Sequence, residues 1–124
     1  MQLTYLSSAA ILIKDQDSSI LCDPWFIDGE YYGSWCHYPP CTVKPDELNN
    51  VDGIYITHIH PDHFSLRTLE KMNKQIPIFI HKFHSDFLKR TIENLGFNVI
   101  EVEHDKRVNI KKNLNIRILA ADNC

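Results

Sequence analysis

Between Tyr55 and Ser65 the chain reads YITHIHPDHFS, and His58, His60, Asp62 and His63 bring three imidazoles and a carboxylate into six residues. Neutral imidazole and carboxylate are suitable ligands for zinc, iron and manganese. In extended backbone, residues two apart point the same way, so His58 and His60 can converge on one point while Ile59 turns into the core. Pro61 then bends the chain, and the turn can swing Asp62 and His63 to a point near the first pair. Two donors on each side suit two adjacent metal ions. Such ions hold a water between them, lower its pKa towards neutrality and clamp the oxygen of the group it attacks. A chance run of surface histidines is the plainer reading. Against it, three of the seven histidines fall here, with an aspartate in register, after a buried-strand pattern and before a capped helix.

The elements that must position these residues can be traced along the chain. QLTYL alternates polar and apolar, AAILIK is an apolar run, and SSILCD reads as a third strand ending at Asp23. The turn KDQDSS suggests a hairpin with a somewhat long loop. Residues 24–48 carry four of the six prolines and both tryptophans with no clean period, which predicts a long ordered loop. Its aromatics Trp25, Phe26, Tyr31, Tyr32, Trp35 and Tyr38 either wall a pocket or cover the domain edge. VDGIYIT predicts a buried strand leading straight into the motif. Ser65 then caps a helix with Leu66, Leu69 and Met72 at helical spacing. IPIFI is a strand, and Ser85 caps a second helix with Phe87, Leu88, Ile92 and Leu95 as its apolar stripe. Gly96 ends that helix in the left-handed conformation. FNVIEV, RVNI and LNIRILA are further strands. The order predicts an α/β layering with a mixed β-sheet, two helices on one face, and one domain over residues 1–124.

Bulk properties exclude several classes. A net charge of −3 is too mild to make nucleic acid or an anionic membrane the main partner, and 44% hydrophobic residues suffice for a core. No apolar run approaches a bilayer span, and no signal peptide is visible. Cys22, Cys36, Cys41 and Cys124 lack a disulfide-framework spacing, so a cytoplasmic protein with reduced thiols is expected. Cys124 is an odd place for a natural domain to stop.

THIHPDH resembles the His-X-His-X-Asp-His signature of the metallo-β-lactamase superfamily. ILCDPWF, residues 20–26, resembles the strand ending in Asp-Pro of one branch. That branch holds ascorbate-6-phosphate lactonase, N-acyl phosphatidylethanolamine phospholipase D and CMP-N-acetylneuraminate hydroxylase-like proteins, the last being closest to GSWCHYPP. The resemblance implies a four-layered αββα sandwich of two similar halves, with residues 1–124 forming the first half. It implies that His58 and His60 bind one metal and Asp62 and His63 a second, with Asp62 also orienting the attacking water. Zinc is the leading expectation, with iron and manganese as alternatives. Asp23 and Trp25 become candidates to contact substrate or to support the ligands, although Asp23 before Pro24 also fits simple turn chemistry. The implied activity is hydrolysis of a small ester, lactone, amide or phosphodiester. A di-iron oxygenase on the same fold is the close variant.

Two departures from the pattern bear on this. The early segment of such relatives usually reads Gly-His-Ala-Ser, whereas here it is SSAA, with Ser8 at the histidine position. Further ligands of the family, a later histidine on each metal and a bridging aspartate, come from beyond the first half. The chain is therefore also expected to need a partner, or a second copy of itself, to complete the site; a non-catalytic metal-binding half-domain is the competing reading. His81, His84 and His104 read as ordinary exposed histidines, and Asp122 carries no assignment. No Rieske-type pairing of cysteine and histidine is present. Cys36, His37 and Cys41 suggest a small zinc site, but no fourth ligand follows at the usual distance.

Overall fold

A computed structural model describes residues 1–121; Asp122 and Cys124 lie outside the described residues. Eight strands and three short helices follow in the order β1 (Gln2–Ser7), β2 (Ala10–Asp15), β3 (Ser18–Cys22), α1 (Glu30–Gly33), β4 (Gly53–Ile56), α2 (Leu66–Glu70), β5 (Ile78–His81), α3 (Phe87–Asn94), β6 (Val99–Val102), β7 (Arg107–Lys111) and β8 (Leu114–Arg117). A 3-10 turn, Pro45–Leu48, precedes β4.

One mixed sheet runs β1-β2-β3-β4-β5-β6 in sequence order. The first three strands form an antiparallel meander, and β3 to β6 are parallel. The meander turns are tighter than KDQDSS suggests. Only Gln16 and Asp17 separate β2 from β3, because Gln16 takes a left-handed φ of 52° that closes the hairpin in two residues.

The parallel part of the sheet is covered on both faces, whereas Leu3 and Tyr5 of β1 are exposed. On one face, Leu21, Ile54, Ile56, Ile78 and Ile80 pack against Leu69 and Met72 from the α2 segment and Leu88 and Ile92 from α3. On the other, Phe79, Val102 and Tyr55 meet Val108, Ile110, Ile116 and Ile118 of the separate β7–β8 hairpin and its exit. RVNI and LNIRILA therefore do not extend the main sheet; they form a second layer. Gly53 makes this close approach possible, since a Cβ there would lie 2.8 Å from the Phe79 ring.

Ser65 caps α2 as expected, accepting the Thr68 N–H at 3.2 Å. For α3 the cap position is Asp86, and Ser85 instead accepts the Phe87 N–H at 3.2 Å. Phe87 is exposed rather than part of the buried stripe, which reduces to Leu88 and Ile92 with Leu95 partly buried. Leu66 is likewise near the surface. Gly96 does end α3, at φ 99°. α1 is one distorted turn inside the long loop, with Tyr31 and Tyr32 both left-handed.

Candidate metal centre

Asp23, Thr57 and His81 stand at the carboxyl ends of β3, β4 and β5, three neighbouring parallel strands. Crevices at such ends are where open α/β sheets bind ligands.

Asp23 organises the centre. Its N–H donates to the Tyr55 carbonyl at 2.9 Å, carrying the β3–β4 ladder one residue beyond the strand. Its φ of 44° lies in the left-handed region, strained for a residue with a side chain. That conformation sends a buried carboxylate across to the end of β4. Oδ1 accepts the Thr57 N–H at 2.7 Å, and Oδ2 accepts the Thr57 hydroxyl at 2.7 Å and His63 Nδ1–H at 2.8 Å. With its O–H donating to Asp23, Thr57 Oγ1 accepts from His58 Nδ1–H at 2.8 Å. These partners assign the tautomers. His58 and His63 both carry the proton on Nδ1 and present the Nε2 lone pair.

The two Nε2 atoms each meet a second donor of the motif. His58 Nε2 lies 3.0 Å from His60 Nδ1, and His63 Nε2 lies 3.6 Å from Asp62 Oδ2. The His58 and His63 rings are neighbours, with centroids 4.1 Å apart. Tetrahedral zinc with ordinary zinc–nitrogen bonds separates two ligand atoms by about 3.3 Å, so both pairs are within about 0.3 Å of ligand spacing. The donor chemistry and spacing fit a pair of ions. Among the described residues, no group of three or more His, Cys, Asp or Glu is arranged to hold one ion. The donors come as two pairs, each short of a full coordination shell.

His58 is held below the ordinary histidine range, chiefly by burial and then by His63 and His60, with Asp23 and Asp62 opposing. The neutral imidazole that metals require is thereby favoured. Ile59 does not enter the core as expected. It is 47% exposed and borders the cleft beside the motif, because the extended backbone ends at Ile56 and residues 58–60 belong to the loop.

Trp25 is placed elsewhere. Its ring packs on His37 with centroids 3.9 Å apart, its Nε1 donates to the Ile27 carbonyl at 2.8 Å, and it lines a cavity of about 390 Å³ with Cys36, His37 and Cys41. His37 sits between two acceptors, Asp28 Oδ1 at 2.6 Å and the Trp25 carbonyl at 3.0 Å. With both ring nitrogens engaged, His37 is not available as the central ligand of a Cys36–His37–Cys41 zinc site. The backbone N–H and ring of His37 hold Asp28 below the usual carboxylate range.

Two residues beside the motif were not assigned to it from the sequence. Thr57 left a signal, a hydroxyl at the strand end directly before His58. His81 left only its place after IPIFI, which marks the end of a neighbouring strand.

A mixed sheet with helices on one face, a second β layer on the other, and a His-X-His-X-Asp-His loop at the parallel strand ends define a metallo-β-lactamase-like half-fold. The chain belongs to the family described as the beta-lactamase superfamily domain, which matches residues 2–120. A Mycolicibacterium smegmatis protein, named as a Rieske 2Fe-2S iron-sulfur protein, is 36% identical over 100 residues, covering 79% of this chain and 19% of that protein. Cytidine monophosphate-N-acetylneuraminic acid hydroxylase of Xenopus laevis is 37% identical over 87 residues, covering 66% of this chain and 15% of the hydroxylase. The chain thus spans less than a fifth of the curated relatives it matches. Among solved structures, isothiocyanate hydrolase from Delia radicum gut bacteria superposes with a TM-score of 0.69 at 20% identity, over 87% of this chain and 43% of that one. The diiron β-hydroxylase CmlA from Streptomyces venezuelae gives 0.59 at 21% identity, over 86% and 21%. At these identities the likeness is one of fold. Among the described residues no helix is long and apolar enough to cross a membrane.

Proposed function

We propose that this chain carries half of the metal centre of a metal-dependent hydrolase that acts on a small ester, lactone, amide or phosphodiester in the cytoplasm. His58 and His60 hold one ion, and Asp62 and His63 the other, with zinc the expected metal. The observation that carries the reading is the shared Asp23 carboxylate. Directly for His63, and through Thr57 for His58, it fixes the tautomer that leaves Nε2 free to ligate. Bound ions would supply Lewis-acid chemistry, acidifying a water and polarising the substrate oxygen. Asp23 and Thr57 orient the imidazoles and accept their Nδ1–H hydrogen bonds, turning Nε2 outward. Asp62, whose Oδ2 faces His63 Nε2, accepts a proton or orients the water beside the pair. The other ligands come from beyond the two pairs.

Metal analysis of protein purified without added metal tests this, comparing wild type with His58→Ala and Asp62→Ala. Each variant is expected to lose metal, and full content in both overturns the assignment. Light scattering tests the need for a partner, which a monomer with full metal content and activity would sink. The second reading is a di-iron oxygenase, the chemistry named for the similarly folded CmlA. It predicts iron in excess of zinc in the isolated protein and oxygen uptake when a reductant is supplied.

A further inference from the structure

The cleft beside the histidine motif encloses about 550 Å³. His58, His60 and His81 line it together with the apolar Phe83, Ile118 and Leu119. Among the described residues no lysine, arginine, aspartate or glutamate lines it. Apart from ions at the motif and the imidazoles themselves, no described lining residue would neutralise an anionic ligand, and enclosing an unpaired charge is costly.

His81 is the unexplained group in this wall. It closes β5, where Ile80 pairs in parallel with Ile56, so its backbone stands about 4.8 Å across from Thr57. Its ring meets Phe83 edge-on, with centroids 5.2 Å apart. Its Nδ1 is sealed from solvent and has no hydrogen-bond partner among the described residues, whereas Nε2 is not sealed. An orphaned buried N–H is rarer than an under-used acceptor. The proton therefore belongs on Nε2, and His81 offers the cleft a single, unused donor.

We propose that this cleft is the substrate subsite of the metal centre, and that it takes an uncharged carbonyl compound with a hydrocarbon acyl part. The acyl part lies against Phe83, Ile118 and Leu119, and the carbonyl oxygen accepts a hydrogen bond from His81 Nε2–H. This rests on the hydrolase reading and narrows it, selecting ester, lactone or amide over phosphodiester.

The test uses metal-free protein, so it is independent of metal loading. Imidazole nitrogen and methyl spectra are followed while hexanamide, and separately dibutyl phosphate, is added. His81 is expected as the Nε2–H tautomer, and hexanamide is expected to shift its Nε2 together with the Ile118 and Leu119 methyls. His81→Leu should weaken hexanamide binding about tenfold, the worth of one hydrogen bond. His81→Gln, whose amide reaches the Nε2 position, should restore most of it. Dibutyl phosphate should bind at least about tenfold more weakly than hexanamide. The proposal is overturned by an Nδ1–H tautomer, by no hexanamide binding, by unchanged binding in His81→Leu, or by dibutyl phosphate binding as tightly as hexanamide. Methyl dispersion in His81→Leu verifies its fold, and His81→Phe, which keeps an aromatic ring without the donor, carries the comparison if that variant is unfolded. Failure of the hydrolase reading itself would show separately, as metal retained by His58→Ala and Asp62→Ala.

Discussion

One carboxylate, held by a strained backbone, governs two imidazoles. Asp23 reaches His63 directly and His58 through the Thr57 hydroxyl, so Thr57 is a positioning residue whose role is to pass on a proton preference. Thr57→Val keeps the shape and removes the relay. It is expected to lower zinc affinity by about 10–100-fold, as loss of such supporting hydrogen bonds does, while Thr57→Ser stays near wild type. Calorimetric zinc titration measures this, and imidazole nitrogen shifts should show His58 losing its Nδ1–H preference in the valine variant alone. A second expectation concerns pH. Burial, then His63 and His60, lower the His58 pKa below its unfolded value. The unfolded chain therefore takes up the proton first as pH falls. The stability contribution of neutral His58 is present above the ordinary histidine pKa and is lost as pH falls through the folded one. In metal-free protein, the His58 ring signals should titrate at lower pH than a free histidine. Titration at or above the ordinary value would contradict the burial described here.

At the scale of elements, the long loop after β3 is tied down beside the motif. Ser65, fully buried, donates to Glu30 Oε1 at 2.7 Å and accepts the Thr68 N–H at 3.2 Å. Thr68 Oγ1 in turn accepts the Phe26 N–H at 3.0 Å. A helix cap and a loop anchor are thus the same side chain, two residues from His63. Ser65→Ala should destabilise the domain by about 1–2 kcal/mol in urea denaturation, at or above the upper part of the usual range for a cap. A loss below about 0.5 kcal/mol would mean that the Glu30 contact contributes little. The α2 and α3 helices were readable from capping residues and spacing, yet Phe87 faces outward. A stripe of period 3.6 gives the direction of a helix face but not where the cover over it stops.

For the whole molecule, the determining contact is between layers. The β7–β8 hairpin lies on the face opposite the helices, and Gly53 allows Phe79 and Ile110 to close over β4. Gly53→Ala is expected to cost about 1–3 kcal/mol by overpacking, visible as a lower thermal midpoint, although the strand backbone itself accepts alanine. No loss of stability would imply that the two layers separate more easily than their packing suggests.

The sequence alone determined the motif, its strand and capped helix, and the mixed character of the sheet. Those are local matters, set by alternation, capping chemistry and spacing along a few residues. Tertiary structure decided what depends on distant parts of the chain meeting. It showed how Asp23, a candidate to support the ligands that also fitted turn chemistry, reaches two histidines, because parallel pairing of β3 with β4 carries its carboxylate to Thr57. It moved Trp25 to another cavity, engaged both nitrogens of His37, turned Ile59 out to the cleft, and brought His81 from a neighbouring strand end to its wall. Hydrogen bonds across strands tie residues more than thirty positions apart, and no periodicity within one segment records such a partner.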